Sequence, residues 1–157
     1  TESFDTPRRK GAIVNLTPVF APYAREAIRT AELDKNDYLT ITDHIVVSDA
    51  PAKVEWKIAT NAKAEIISPQ VIMLTQNKKT LYLKLNSRLS ATAQIWPEHK
   101  YMDCEVPDKG ITRVGFVIDL KAGETADVVV TMSPDKKKGL KITLPKLNLG
   151  KKNRTLK

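Results

Sequence analysis

Cysteine is almost missing from this sequence: Cys104 is the only one among 157 residues. It has no partner in the chain for a disulfide, and a cysteine-ligated zinc site is excluded. Glycine is sparse, with six residues, and no glycine-rich phosphate loop is present. The two histidines, His44 and His99, lie far apart, and no ligand-spaced His/Cys/Asp cluster surrounds either. No serine or cysteine nucleophile signature occurs. No apolar run approaches the ~18 residues that cross a bilayer, which argues against a membrane span. The chain begins Thr1-Glu2-Ser3-Phe4-Asp5, with neither an initiator Met nor a basic-then-apolar leader, as expected of a processed product or a piece of a longer protein. An independent enzyme is not expected: no catalytic residue, metal ligand or cofactor site emerges.

Charge of one sign is in excess, a net of +8, but unevenly spread. Residues 136–157 hold nine of the 26 basic residues and no acid, leaving 17 basic against 18 acidic in residues 1–135, a net of about −1. A basic tail can bind a polyanion; a solvated or poorly ordered end is its commoner role. The neutral body, without a helix or an aromatic stripe, argues against a nucleic-acid partner.

What is abundant is alternation. Val54, Trp56 and Ile58 fall on one face of an extended strand, and Lys53, Glu55 and Lys57 on the other. Side chains alternate across a strand, so this is a sheet with one dry face and one wet face, and Trp56 belongs to the core. Ala12, Val14 and Leu16 alternate likewise, as do Leu81, Leu83 and Leu85; Leu89, Ala91, Ala93 and Ile95; Val114, Phe116, Ile118 and Leu120; and Val128, Val130 and Met132. Asp34–Asp37, Asp49-Ala50-Pro51, Gln76–Lys79 and Lys121–Glu124 carry turn residues. Thr17–Tyr23, with two prolines, reads as an irregular connector, and Ala24–Glu32 fits a helical turn and a strand equally. Helical periodicity is otherwise nearly absent. The expectation is an all-β, antiparallel β-sandwich of roughly nine to eleven short strands. Residues 1–10 read as a lead-in segment, 11–135 as the sandwich domain, and 136–157 as the basic tail, where Leu140–Leu144 can add an edge strand.

Two polar residues stand out on the Leu39–Val47 strand. Asp43 interrupts an apolar face, where a carboxylate needs donors, so it is expected to accept from a turn or pair with an arginine. His44, on the opposite face, is expected to be solvated. One stretch has the look of a binding loop. Trp96 falls on the polar phase of its strand, followed by His99, Lys100 and Tyr101, with Arg88 nearby in sequence. Aromatic rings stack on sugar C–H faces and basic groups hold sulfates or carboxylates, so these five residues are the candidate contacts for an anionic polysaccharide. The competing role is a cap on the core, since large aromatics usually find cover.

Several segments resemble the C-terminal part of heparinase II/III-type polysaccharide lyases. They are Asn15–Phe20, Arg25–Thr30 leading into Leu39–Asp43, Val54–Ile58, and Thr112–Gly123, with order and spacing that match across most of residues 11–132. The resemblance implies a C-terminal β domain whose partners are the catalytic α/α toroid and central β domain of the same parent chain. That parent would cleave acidic glycosaminoglycans such as heparin and heparan sulfate by β-elimination, in a periplasmic or secreted setting. Elimination needs the uronate neutralised, a base for the adjacent proton and an acid for the leaving oxygen. The family's catalytic Tyr and His motifs have no match here. The alternative is a free-standing carbohydrate-binding or cell-surface adhesion sandwich. An exposed apolar patch would favour the accessory domain, and a solvent-facing aromatic platform beside basic residues the free-standing module.

Overall fold

The alternating segments become strands in the computed structural model, which describes residues 1–86, 89–96 and 110–134. In chain order the elements are β1 (Glu2–Thr6), β2 (Arg9–Asn15), a one-turn helix α1 (Thr17–Phe20), β3 (Ala24–Asp34), β4 (Leu39–Val47), β5 (Ala52–Thr60), β6 (Lys63–Ser68), β7 (Val71–Gln76), β8 (Lys79–Leu85), β9 (Ala91–Trp96), β10 (Thr112–Leu120) and β11 (Thr125–Ser133). They form two antiparallel sheets, one of eight strands in the order β1-β2-β3-β4-β11-β8-β7-β6 and one of three in the order β5-β10-β9. The fold is the all-β sandwich that the alternation predicts.

The last two strands hold the centre of both sheets. β10 lies between β5 and β9, and β11 between β4 and β8. The turn joining them uses Gly123 in the left-handed region, φ 69°, which favours glycine. The Lys121 N–H donates to the Glu124 carboxylate at 2.7 Å. The Gly123 N–H donates to the Ser48 carbonyl at 2.8 Å, tying this turn to the β4–β5 connection.

The core sits between β10 and the middle of the large sheet. Val114, Phe116 and Ile118 from β10, Val128 and Val130 from β11, Ile72 from β7 and Leu83 from β8 are all fully buried. Each such side chain contributes roughly 1.5–3 kcal/mol through burial. Trp56 is opposite Phe116 in register and 3% exposed, with ring centroids 6.2 Å apart. Gly115 allows the strands this approach: a Cβ there would lie 1.8 Å from the Trp56 carbonyl oxygen.

The cluster that forms this core takes no residue from β1, β2 or β3. The small sheet does not extend over that side of the large sheet. Three local expectations change accordingly. Residues 1–10, expected as a lead-in, carry β1 and the turn into β2, paired from Glu2↔Ile13 to Thr6↔Arg9. Thr17–Tyr23 is not wholly irregular, since Thr17–Phe20 makes a helical turn with proline in its first positions. Ala24–Glu32 resolves as strand, with a β-bulge between Ala24 and Glu26. The bulge lets Ala24 and Ala27 both be buried, 8% and 5% exposed, at a spacing that mimics a helical stripe. The basic tail and Leu140–Leu144 lie outside the described residues.

Candidate functional site

Where the small sheet stops short, a cleft opens beside β5. It holds about 530 Å³ and lies against β3, β4, β5 and the segment that follows α1. Backbone geometry shapes its rim. The Leu16 carbonyl accepts from Val19 and Phe20, at 2.9 and 3.2 Å, closing α1. The Thr17 hydroxyl accepts from the Ala27 N–H at 3.0 Å and pins α1 to β3. The Tyr23 carbonyl then accepts from Ser48 at 3.1 Å. An Arg25–Asp49 ion pair fixes the β4–β5 connection, and so Pro51, to the start of β3. The result is an aromatic rim at the mouth: Tyr23 is 72% and Phe20 46% exposed.

The polar floor comes from one cross-strand pair. Arg29 stands opposite Asp43, and Asp43 opposite Val128, which puts the pair on the core-facing side of the large sheet. Arg29 Nε donates to Asp43 Oδ1 at 2.6 Å and Nη2 to Oδ2 at 2.9 Å, a bidentate fork. The Asp43 hydrogen bond, aided by its charge, raises the Arg29 pKa above its ordinary value against the opposing effect of burial. The expected arginine partner of Asp43 is therefore Arg29, fourteen residues upstream across the β3–β4 hairpin. Val54 and Trp56 form the β5 wall. The indole Nε1 of Trp56 is closed off from solvent and has no hydrogen-bond acceptor among the described residues.

His44 is not the solvated histidine expected. Its Nδ1 lies 2.7 Å from Asp127 Oδ1 and its Nε2 3.9 Å from Glu26 Oε1, with 21% of the side chain exposed. The signal for this pairing is long-range: His44 faces Asp127 only through the β4–β11 register. Among the described residues no group of three or more His, Cys, Asp or Glu side chains is placed to hold a metal ion. None of their helices is long and apolar enough to cross a membrane.

Of the five binding residues expected from sequence, Arg88, His99, Lys100 and Tyr101 lie outside the described residues. Trp96 ends β9, half-buried, on the wet face of the small sheet. Lys57 Nζ sits 4.4 Å from its ring centroid and is also paired with Glu55. The cleft and Trp96 are thus separate features, and Phe20, Tyr23 and Arg29 had no counterpart in the sequence reading. No periodic signal marks Phe20 or Tyr23, because they belong to a proline-broken connector.

No family model matches the chain, and no curated protein does. Solved structures do. The heparan sulfate lyase HepC from Pedobacter heparinus matches with a TM-score of 0.64 at 10% identity, over 83% of this chain and 20% of that one. A HepC mutant matches with a TM-score of 0.61 over the same shares. A structure of heparinase III matches with a TM-score of 0.61 at 11% identity, over 84% of this chain and 20% of that one. The chain therefore spans about a fifth of the lyase chains it matches, and its fold is that of one domain within them.

Proposed function

We propose that this chain is the non-catalytic C-terminal β-sandwich domain of a heparinase II/III-like polysaccharide lyase. In this reading it supports the catalytic toroid and central β domain of a longer chain that cleaves heparin or heparan sulfate by β-elimination. The setting is periplasmic or secreted. The observation that carries the reading is the match of 83% of the chain to a fifth of a heparan sulfate lyase. Surface chemistry supports it. Ile66 and Ile67 are adjacent on edge strand β6, where a β-bulge interrupts the pairing with β7, and they are 44% and 37% exposed. A sheet edge with two neighbouring isoleucines open to solvent suits packing against another domain.

A second reading, a free-standing carbohydrate-binding or adhesion module, draws on Trp96 beside Lys57 on the open face of the small sheet. Trp96, with Arg88, His99, Lys100 and Tyr101, would then contact an anionic polysaccharide.

The test is to express the full reading frame that encodes this chain and to incubate its product, and this chain alone, with heparan sulfate. The expected result is a rise in unsaturated-uronate absorbance with the full product and none with the chain alone. No rise with either overturns the lyase reading. Saturable heparin binding by the chain alone, lost in Trp96→Ala, would establish the second.

A further inference from the structure

The cleft beside β5 combines features that restrict what it can hold. Its rim is aromatic: Phe20 and Tyr23 stand exposed at the mouth, with Pro51 between the strands. Its floor is polar: Asp43, whose side chain is 10% exposed, carries four lone-pair positions, of which the Arg29 fork takes two. Arg29 Nη1 takes no part in that fork. Trp56, 3% exposed, forms the β5 wall, and its indole N–H, closed off from solvent, serves as a reporter of the cleft rather than as a contact for a ligand.

Charge narrows the choice. Arg29 pairs with Asp43, Lys53 with Asp119 at 3.6 Å, and Glu55 with Lys57. The charged side chains of strands β3, β4 and β5 at the cleft are thus neutralised in pairs. An anionic ligand would meet the Asp43 and Glu55 carboxylates without a spare cation, and a cationic one would meet Arg29 and Lys53. A wholly apolar ligand would cover the Arg29–Asp43 pair and leave its remaining lone pairs and N–H groups without partners. What fits is an uncharged molecule with an apolar face for the aromatic rim and neighbouring groups that both donate and accept for the floor. The C–H face and vicinal hydroxyls of a pyranose have that arrangement: one hydroxyl donates to Asp43 while the next accepts from Arg29 Nη1.

We propose that the cleft bounded by Phe20, Tyr23, Arg29, Asp43 and Trp56 is a binding site for the pyranose ring of a neutral sugar. It lies on the core-facing side of the large sheet and is distinct from the Trp96 surface on the wet face of the small sheet. It does not depend on the chain belonging to a lyase. The volume, about 530 Å³, falls in the range of small-molecule sites and accommodates more than one ring.

The two tryptophans make a direct test, because each gives one indole N–H signal. The chain, labelled with nitrogen-15, is titrated with cellobiose, maltose, xylobiose and diacetylchitobiose to about 20 mM, a range that detects millimolar affinity. A Trp96→Phe variant assigns the signals. The expected result is a saturable shift of the Trp56 indole signal with at least one sugar, while the Trp96 signal stays in place. Tyr23→Ala, at an exposed position where folding is safe, weakens that binding by about tenfold, the loss of one stacking platform. Ile67→Ser, far along β6, leaves it unchanged. No saturable shift with any of the four sugars overturns the proposal. So does a shift of the Trp56 signal by a heparin tetrasaccharide alone, or neutral-sugar binding that Tyr23→Ala does not weaken.

Discussion

The large sheet has two unlike halves. From β4 through β11, β8 and β7, it lies under the small sheet, and its inward side chains are mostly bulky and apolar, with Val128, Val130 and Leu83 at 0% and Leu74 at 5% exposure. From β1 to β3 the small sheet does not reach it, which leaves this half bare of a second sheet, and the residues facing the same way include Ala27, Arg29, Ala31, Leu33, Val14, Ala12 and Lys10. Both halves use the same pairing and the same alternation. They differ in the size and charge of what alternates. Bulky side chains dominate the dry interface, and small or charged ones are commoner where the small sheet stops short. The cleft forms at the border, where Asp43 replaces the hydrocarbon that Ile41 and Ile45 supply on either side of it.

The strongest way to break that contrast is to empty each half in turn. Phe116→Ala in the covered half should cost about 3–5 kcal/mol, and Leu33→Ala in the bare half under about 1 kcal/mol. Urea unfolding of both variants checks this, with the denaturant slope held as a control for the unfolded state. Equal midpoint shifts would mean that the bare half is covered in solution.

A smaller effect sharpens the border itself. Arg29→Met strips Asp43 of both fork donors and should cost about 1–3 kcal/mol, since Asp43 is largely buried while Arg29 is 42% exposed. Arg29→Met combined with Asp43→Leu should recover most of that loss, because an apolar pair leaves no polar group stranded. A double-mutant cycle of thermal stabilities reads the coupling.

The smallest effect lies at the turn of the bare half, between β3 and β4. Burial pushes the Asp34 carboxyl up, but N–H donors from Tyr38 and Asn36 outweigh it and hold the group below its ordinary range. A folded-state pKa below the unfolded one gives stability that is present above the unfolded value and lost as pH falls through the folded one. Protection of the Asn36 and Tyr38 amides, with exchange measured against the intrinsic rate at each pH, should therefore fall as pH drops below about 4, the ordinary carboxylate range, and Asp34→Asn should remove that dependence. A turn that exchanges identically in both proteins would show that the carboxylate has no role in it.

Sequence reading worked best where side chains are large. Val114, Phe116 and Ile118 declare a strand because three bulky residues recur at every second position. It worked least well where they are small. Ala24, Ala27 and Ala31 give no clear period, and the bulge shifts the phase between the first two. β1 was missed because Glu2–Thr6 is exposed along nearly its whole length and carries no buried face to betray it. At the site, the need of Asp43 for a donor could be read from one strand alone. The identity of that donor depends on hairpin register, as does the His44–Asp127 pair across β4 and β11. The aromatic rim depends on how α1 is pinned to β3, which no local pattern encodes.

The central places of β10 and β11, joined by a turn that crosses from one sheet to the other, also dictate an order of assembly. β1 to β4 can zip into a meander as soon as they leave the ribosome, and β6 to β8 into another. The two remain separate pieces until residues 125–133 arrive to bridge them, just as β5 and β9 wait for residues 112–120. A chain that stalls before those last two strands has nearly all the others and neither of its sheets complete. Its closing step joins segments far apart in sequence, the kind of contact that slows folding.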